Sequence, residues 1–249
     1  MKKLAVATAT AGLLTGLGVF GATSASGATD PSEAFRPASL KWHACQPDIV
    51  TGAKAYDSLG PVQVSKIIQC AELEVPLDYT HPNGQKITLK LTRTPHTGTG
   101  TAKGDIVVNP GGPGGGGALF GPRVYAQNSA PMQAAYNVIG FDPRGVGFSK
   151  PSLSCDTNVS NAPRPAYGTG GAKDEAIWLK KSKDYADACA KKFGAGSKVN
   201  LLDHIKTIDS VRDINTIRAA LGNEKLDFYG ASYGTYLGQT YATVFPKRV

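Results

Sequence analysis

The amino-acid sequence predicts an α/β fold built on a mostly parallel sheet. Two short apolar segments, Asp105–Asn109 and Tyr136–Phe141, each stop at a loop rich in turn-forming residues. Continuous apolar runs of this length are typical of strands that are buried on both faces, as in parallel sheets. Residues 207–245 then read in succession as a helix, a strand, a glycine-rich turn and a second helix. That order is typical of the β/α units from which parallel sheets are built.

The start of the chain predicts a secretory signal peptide. Lys2 and Lys3 provide a positive beginning, Leu4–Phe20 is an apolar stretch, and small residues follow up to Ala28. A membrane anchor is the alternative reading, but threonines and glycines interrupt the stretch and no second apolar run of about 18 residues follows. We therefore expect residues 29–249 to be secreted, with no stable membrane association after cleavage.

The charge of the chain argues against a nucleic-acid partner. The net charge is +8, or +6 once the two lysines of the signal segment are removed. The basic residues are spread along the chain, and the densest group, Lys180, Lys181 and Lys183, lies in a helix-like segment. A nucleic-acid surface requires a basic stripe with interleaved aromatic residues, which this pattern lacks. With 41% hydrophobic and 18% charged residues, the chain is expected to be globular.

The four cysteines all lie in the part that is expected to be exported. Disulfides form in that oxidising environment, and four cysteines allow three connectivities. Sequential pairing, Cys45–Cys70 and Cys155–Cys189, closes two loops of modest length and is preferred. Neither a Cys-x-x-Cys motif nor a His/Cys cluster with ligand spacing is present, so no metal site is expected.

The first elements after the signal segment are predicted to be a pair of strands. Ala71–Leu77 and Lys86–Thr94 are rich in β-forming residues, and the turn signal His81–Gly84 separates them. Residues 152–203 change character, because they are rich in turn-forming residues at first and then read as a helix over Asp174–Phe193. We expect this segment to be an excursion from the sheet that the second cysteine pair holds.

The last three elements are the clearest in the sequence. A helix is expected with Thr207 as its N-cap and Gly222 just beyond its end. The strand Leu226–Tyr229 follows, and then the helix Tyr233–Phe245. The apolar residues of the first helix recur at helical spacing: Ile208, Val211, Ile214, Ile217 and Leu221.

A Gly-x-Ser-x-Gly motif, Gly230–Gly234, lies between that strand and the last helix. The motif alone is weak in a chain with 30 glycines, so its context decides. A nucleophilic serine must project from a tight strand-to-helix turn whose neighbours carry no large side chains. Gly230 and Gly234 supply that clearance, and the helix N-terminus would favour a developing oxyanion. Ser232 is therefore the predicted catalytic nucleophile; a tight turn without chemistry is the alternative.

The loop after the strand Asp105–Asn109 is the second candidate element of an active site. Acyl transfer needs two backbone N–H donors that point at the tetrahedral oxygen. One is expected from Tyr233, the residue after the nucleophile, and the other from a glycine-rich loop such as this one. Gly112 is the preferred second donor, with Gly111 close behind.

The same loop also matches a dinucleotide-binding fingerprint, Gly112-x-Gly114-x-x-Gly117. Pro113 stiffens the turn, however, and no acidic residue ends a second strand about 20 positions later. Asp142 enters an Asp-Pro-Arg-Gly turn instead. Neither a nucleotide cofactor nor any other cofactor is expected.

With both motifs in place, the chain resembles the secreted bacterial tripeptidyl aminopeptidases, relatives of prolyl aminopeptidase within the α/β-hydrolases. The resemblance depends on four blocks in family order, residues 70–79, 107–117, 136–151 and 216–249. It implies an α/β-hydrolase fold and a serine exopeptidase that removes tripeptides or short N-terminal residues from peptides with a free N-terminus. It also implies that no metal or organic cofactor takes part.

Position by position, the resemblance assigns the nucleophile to Ser232 and the oxyanion donors to the backbones of Tyr233 and Gly112. It places the turn that contains Asp142 and Arg144 near the floor of the active site, where we expect both side chains to fix the turn.

The family order of catalytic residues is Ser, then Asp, then His. None of the 17 residues after Ser232 is Asp, Glu or His, and all four histidines precede it. We therefore expect residues 29–249 to be the N-terminal part of a hydrolase domain, with the catalytic Asp and His outside this sequence. We expect this chain alone to be inactive and poorly stable.

The sequence is also compatible with two other functions. A carboxylester hydrolase would use the same elbow, and a non-catalytic exported protein would use the fold for binding. The absence of the Asp and His favours the non-catalytic protein for this chain, whereas the intact elbow and glycine loop favour the peptidase for its parent. The sequence indicates no oligomeric state.

Overall fold

A mixed sheet of six strands organises the residues that the computed structural model describes, 30–158 and 171–249. The expected signal segment lies outside these residues, as does part of the expected excursion. The strand order in the sheet is β1-β2-β3-β5-β4-β6. The strands are β1 (His43–Ala44), β2 (Gln69–Pro76), β3 (Lys86–Thr94), β4 (Gly104–Asn109), β5 (Tyr136–Asp142) and β6 (Asp227–Gly230).

The strand directions confirm the predicted fold class. Strands β1, β2, β3 and β5 are joined by antiparallel pairing, whereas β5, β4 and β6 pair in parallel. Strands β2, β4, β5 and β6 consequently run in one direction, and β1 and β3 run in the other. The carboxyl ends of β4, β5 and β6 therefore meet at one edge of the sheet, where the loops that follow them come together.

Helices cover both faces of the sheet. The α-helices are α1 (Pro47–Lys54), α2 (Val64–Ile67), α3 (Phe120–Gln127), α4 (Ala130–Ala135), α5 (Gly171–Phe193), α6 (Thr207–Ala220) and α7 (Tyr233–Val244). Short 3-10 helices lie at Pro31–Glu33, Leu202–His204 and Pro246–Arg248. Among the described residues, no helix is long and apolar enough to cross a membrane.

Neighbouring residues of β4 show how the sheet packs against helices on both of its faces. Val107 packs in the larger core cluster, together with Ile214 of α6 and Leu237 of α7. Val108, the next residue, packs in a second cluster with Tyr125 of α3. Successive side chains of a strand point to opposite faces, so one apolar strand supplies both layers. This explains the continuous apolar run in the sequence.

Two disulfides join peripheral segments to the fold. Cys45 and Cys70 link the end of β1 to β2, and Cys155 and Cys189 link the segment after β5 to helix α5. Strands β2 and β3 form an antiparallel pair, with Val75 opposite Ile87.

The start of helix α6 differs from the sequence prediction. Lys206, and not Thr207, is the N-cap, and Thr207 is the first helical residue. The Thr207 hydroxyl is hydrogen-bonded to the hydroxyl of Tyr233 instead of a backbone N–H of its own helix. The carboxylate of Asp209 accepts the backbone N–H of Lys206 at 3.1 Å. Thr207 therefore connects two elements of the fold.

Candidate active site

Ser232 occupies the sharp turn between β6 and α7. Its backbone has φ 53° and ψ −126°, and it is the one non-glycine residue with a positive φ among the described residues. A residue with a side chain rarely adopts such a conformation, and where it occurs the surrounding structure must enforce it. The side chain is exposed, at the carboxyl edge of the sheet. Both properties are those of a nucleophile elbow.

The glycines on either side of Ser232 are required by close backbone contacts. A Cβ atom on Gly230 would lie 2.3 Å from the carbonyl oxygen of Gly234. A Cβ atom on Gly234 would lie 2.4 Å from the carbonyl oxygen of Asn109, at the end of β4. No alanine can be accommodated at either position without moving the backbone.

The glycine loop after β4 lies directly against the elbow. Gly111 has φ +86°, and a Cβ atom there would lie 2.5 Å from the carbonyl oxygen of Ala231 and 2.6 Å from the nitrogen of Tyr233. The N–H of Ala231 also donates to the carbonyl oxygen of Asn109 at 3.0 Å. Backbone-to-backbone contact therefore fixes the loop relative to Ser232.

The hydrogen bonds of this loop distinguish between the two candidate donors. The N–H of Gly111 donates to the Asn109 side-chain oxygen at 2.8 Å and is already engaged. The N–H of Gly112 has no acceptor among the described residues, and neither has the N–H of Tyr233, which lies in the first turn of α7 where such groups lack helical acceptors. This arrangement favours the pair Gly112 and Tyr233 as oxyanion donors.

Asp142, the last residue of β5, connects the glycine loop to the turn that follows the strand. Its carboxylate accepts the N–H of Ala118 at 2.8 Å with one oxygen and the N–H of Phe148 at 2.7 Å with the other. Burial raises the pKa of this carboxyl group, while the backbone donors act in the opposite direction. A Cβ atom on Gly147 would lie 2.3 Å from the carboxylate, so this glycine makes room for it.

Arg144 is the centre of a buried polar cluster on the other side of the same turn. Its guanidinium donates to both carboxylate oxygens of Asp213 in α6, each at 2.7 Å, and to the carbonyl oxygens of Leu77 and His204. The Tyr79 hydroxyl donates to Asp213 at 2.9 Å. Although burial opposes the charge, the adjacent Asp213 carboxylate raises the pKa of Arg144 above its usual value.

A cavity of about 470 Å³ opens between the glycine loop, the turn after β5 and the first turns of α6 and α7. Gly111 of the glycine loop and Tyr233, the residue after Ser232, are both part of its wall. None of the described residues that line it is Asp, Glu or His. Its charged residues are Arg144, which Asp213 neutralises, and Lys206 at the N-terminus of α6.

The histidines lie elsewhere. His43 and His81 each hydrogen-bond to a nearby carboxylate at 2.8 Å, and His96 contacts a backbone carbonyl at 3.1 Å. His204 contributes its backbone carbonyl to the Arg144 cluster. Among the hydrogen bonds of the described residues, none joins a histidine to Ser232. Within residues 30–158 and 171–249, no group of three or more His, Cys, Asp or Glu side chains could hold a metal ion.

Sequence reasoning identified the elbow and the loop, but it missed the partners of Arg144. Asp213 lies in an amphipathic helix, where an acidic residue usually faces solvent, and Tyr79 follows a predicted strand. The one available signal was the position of Asp213 among the apolar residues Val211 and Ile214, which face the core. A charged residue at such a position requires a buried partner.

Comparison with known proteins identifies the family of the fold. The model of the alpha/beta hydrolase fold family matches residues 106–249. The tripeptidyl aminopeptidase of Streptomyces coelicolor is 41% identical over 189 residues, which are 74% of this chain and 34% of the relative. The serine protease Hip1 of Mycobacterium tuberculosis is 37% identical over 185 residues, 72% of this chain and 34% of the relative.

The chain thus spans about a third of the length of these curated relatives. The crystal structure of proline iminopeptidase from Mycobacterium smegmatis matches with a TM-score of 0.38 and 19% identity, over 71% of this chain and 40% of that chain. On the match over residues 106–249, which contain the glycine loop and the elbow, this chain belongs to the α/β-hydrolase family.

Proposed function

We propose that this chain carries the nucleophile and the oxyanion donors of a secreted serine peptidase that releases tripeptides or short N-terminal residues from peptides with a free N-terminus. The observation that carries the proposal is the backbone of Ser232, which is held at φ 53° on a strand-to-helix turn with the glycine loop in direct contact. The names of the two relatives, a tripeptidyl aminopeptidase and a serine protease, support peptide hydrolysis.

In the proposed reaction, Ser232 Oγ attacks the carbonyl carbon of the scissile peptide bond. The negative charge that develops on the carbonyl oxygen is stabilised by the N–H groups of Tyr233 and Gly112. A general base takes the serine proton and returns it to the leaving amine as the C–N bond breaks. Water then hydrolyses the acyl-enzyme by the same steps in reverse order, and Ser232 regains its proton.

Among the described residues, no histidine is hydrogen-bonded to Ser232, so none of them is proposed as the general base. The order Ser, Asp, His places the base and its orienting carboxylate after the nucleophile. Ser232 and Tyr233 follow β6 and Gly112 follows β4, so all three lie at one edge of the sheet, and the proposed base must reach this edge. Two disulfides among the described residues are typical of exported proteins and support secretion.

The test is covalent labelling of the natural protein that contains residues 29–249. A fluorophosphonate is expected to modify Ser232, as located by peptide mass spectrometry. Ser232→Ala is expected to abolish labelling, whereas Ser58→Ala, which removes an exposed serine of the α1–α2 connection, is expected to leave it unchanged. Absence of labelling at Ser232 in the folded natural protein would overturn the proposal.

Substrates then separate the two hydrolase activities. Fluorogenic tripeptide amides with a free N-terminus are expected to be cleaved faster than their N-acetylated counterparts, because an exopeptidase recognises the free ammonium group. Hydrolysis of simple esters without cleavage of either amide would instead identify a carboxylester hydrolase.

A further inference from the structure

We propose that Thr207 is a positioning residue of the active site. Its hydroxyl holds the side chain of Tyr233 and thereby fixes the direction of the Tyr233 N–H, one of the two proposed oxyanion donors. This inference rests on the proposed function and adds to it a residue from α6, outside the elbow and the glycine loop.

The hydroxyl groups of Thr207 and Tyr233 are hydrogen-bonded to each other and join the first turns of α6 and α7. Both residues are part of the wall of the cavity beside the elbow. Thr207 is the first residue of α6, whereas the N-cap is Lys206. The hydroxyl of Thr207 thus serves a contact between two helices, and the start of its own helix is built without it.

Tyr233 is held at both of its ends. At the backbone end it follows the strained residue Ser232, and a Cβ atom on Gly111 would lie 2.6 Å from its nitrogen. At the other end its hydroxyl is bound by Thr207. The ring between them is partly buried against the larger core cluster, with the ring centre of Tyr236 5.4 Å away. Because covalent geometry and staggered rotamers couple the side chain to the backbone, a fixed hydroxyl restricts the direction of the N–H.

Helix α6 gives Thr207 a firm support. The carboxylate of Asp209 accepts the N–H of Lys206 at 3.1 Å in the first turn of the helix. One turn later, Asp213 accepts two hydrogen bonds of 2.7 Å from the buried guanidinium of Arg144. These contacts fix the start of α6 relative to the turn after β5. The bond from Thr207 to Tyr233 then fixes the first residue of α7 relative to the same frame.

The direction of an oxyanion donor affects the transition state more than the bound substrate, because the negative charge on the oxygen develops only during the reaction. Complete removal of one such donor lowers kcat by roughly 100- to 1,000-fold. The N–H of Tyr233 remains present when its side chain is released, so a smaller loss of about tenfold in kcat is expected, with KM nearly unchanged.

The test uses the natural protein that contains residues 29–249. Thr207→Val replaces the hydroxyl by a methyl group of similar size. We expect kcat for a tripeptide amide to fall about tenfold and KM to change less than about twofold, counted per Ser232 that a fluorophosphonate labels at completion. Thr207→Ser keeps the hydroxyl and is expected to retain kcat within about twofold. Thr243→Val makes the same change at an exposed position of α7, where the hydroxyl binds the carbonyl oxygen of Gln239, and is expected to have no effect.

Removal of the other hydroxyl makes the test specific to this hydrogen bond. Tyr233→Phe is expected to lower kcat by the same factor as Thr207→Val. The double variant should lose about tenfold and not about a hundredfold, because both changes break one bond. A peptide aldehyde, to which Ser232 adds and whose oxygen then lies in the oxyanion position, should bind about tenfold more weakly to each variant. The corresponding peptide alcohol lacks the carbonyl group and should bind equally well to all of them.

The outcomes separate the inference from the proposed function. If Ser232 is labelled and peptides are cleaved, but Thr207→Val and Tyr233→Phe leave kcat per labelled serine unchanged, the positioning inference fails and the proposed function stands. Losses that multiply in the double variant also overturn the inference. If Thr207→Val does not fold, Tyr233→Phe and the aldehyde decide alone. If Ser232 is not labelled in the folded wild type, the proposed function fails and the inference fails with it.

Discussion

The two regions that build the cavity are held together by opposite means. On one side, the glycine loop and the elbow touch through their backbones, because Gly111, Gly230 and Gly234 have no side chains. On the other side, the turn after β5 is held to α6 by full charges, since Arg144 and Asp213 are completely buried against each other. The first region requires residues without a Cβ atom, and the second requires both members of a buried ion pair. Variants should therefore behave differently in the two regions.

The largest effect is expected in the glycine region. Gly234→Ala places a methyl group 2.4 Å from the carbonyl oxygen of Asn109, a contact between backbone elements that no side-chain rotation can relieve. We expect a loss of about 5 kcal/mol or more in the free energy of unfolding, which is the exceptional range for a single substitution. The measurement is the yield of soluble protein together with its urea-unfolding midpoint.

Gly104→Ala is the matched control for this prediction. Gly104 lies at the start of β4, and its added methyl group would be in ordinary contact, 3.6 Å from the nearest atom. Its stability is expected to stay within about 0.5 kcal/mol of the wild type. Equal stabilities for Gly234→Ala and Gly104→Ala would show that the close contact is not rigid.

The comparison also explains how far sequence alone could predict the molecule. The glycine region is local. Strand β4 with its loop lies within residues 104–117, and β6 with its elbow lies within residues 227–234, so each is recognised from one short stretch of sequence. The fold class, the tight turn at Ser232 and the position of the glycine loop could be predicted for that reason. Which of the N–H groups of Gly111 and Gly112 is already hydrogen-bonded could not be predicted, by contrast, because it depends on the orientation of the Asn109 side chain.

The charged region is non-local and could not be predicted in the same way. Arg144 and Asp213 are 69 residues apart, and Tyr79 is 134 residues from Asp213. No local pattern connects positions so distant. Thr207 illustrates the same difficulty, because its preference for an N-cap is overridden by a hydroxyl partner, Tyr233, from another helix.

The second prediction addresses the buried pair. Arg144→Met leaves the Asp213 carboxylate buried without its charged partner, and we expect the free energy of unfolding to fall by about 3–5 kcal/mol. The double variant Arg144→Met, Asp213→Leu removes both charges and is expected to recover part of that loss. Recovery should be incomplete, because the carbonyl oxygens of Leu77 and His204 lose a donor in both variants. Urea unfolding of the three proteins measures these values, and a double variant no more stable than Arg144→Met would contradict the prediction.

The smallest expected effect on stability is that of a solvent-exposed pair, His43 and Glu72, which serves as a reference for the buried pair Arg144 and Asp213. His43 Nε2 lies 2.8 Å from a carboxylate oxygen of Glu72, and about half of each side chain (48%) is exposed. The hydrogen bond to Glu72 is the main cause that raises the pKa of His43 above 6.5. A raised pKa means that the folded protein binds the proton more tightly, so the stabilisation is complete below pH 6.5 and disappears as the pH rises through the folded-state pKa.

His43→Gln should therefore destabilise the protein by only a few tenths of a kcal/mol at pH 5.5, with the difference from wild type shrinking toward pH 8.5. Urea unfolding across that pH range measures the difference, and a constant difference would show that the imidazolium charge is not responsible. About 1 M NaCl should reduce the effect, since it shortens the screening length to about 3 Å and the pair is exposed to solvent. The same salt should leave the cost of Arg144→Met nearly unchanged, because solvent does not reach that pair. A cost of Arg144→Met that falls in salt as much as that of His43→Gln would mean that burial is not what distinguishes the two pairs.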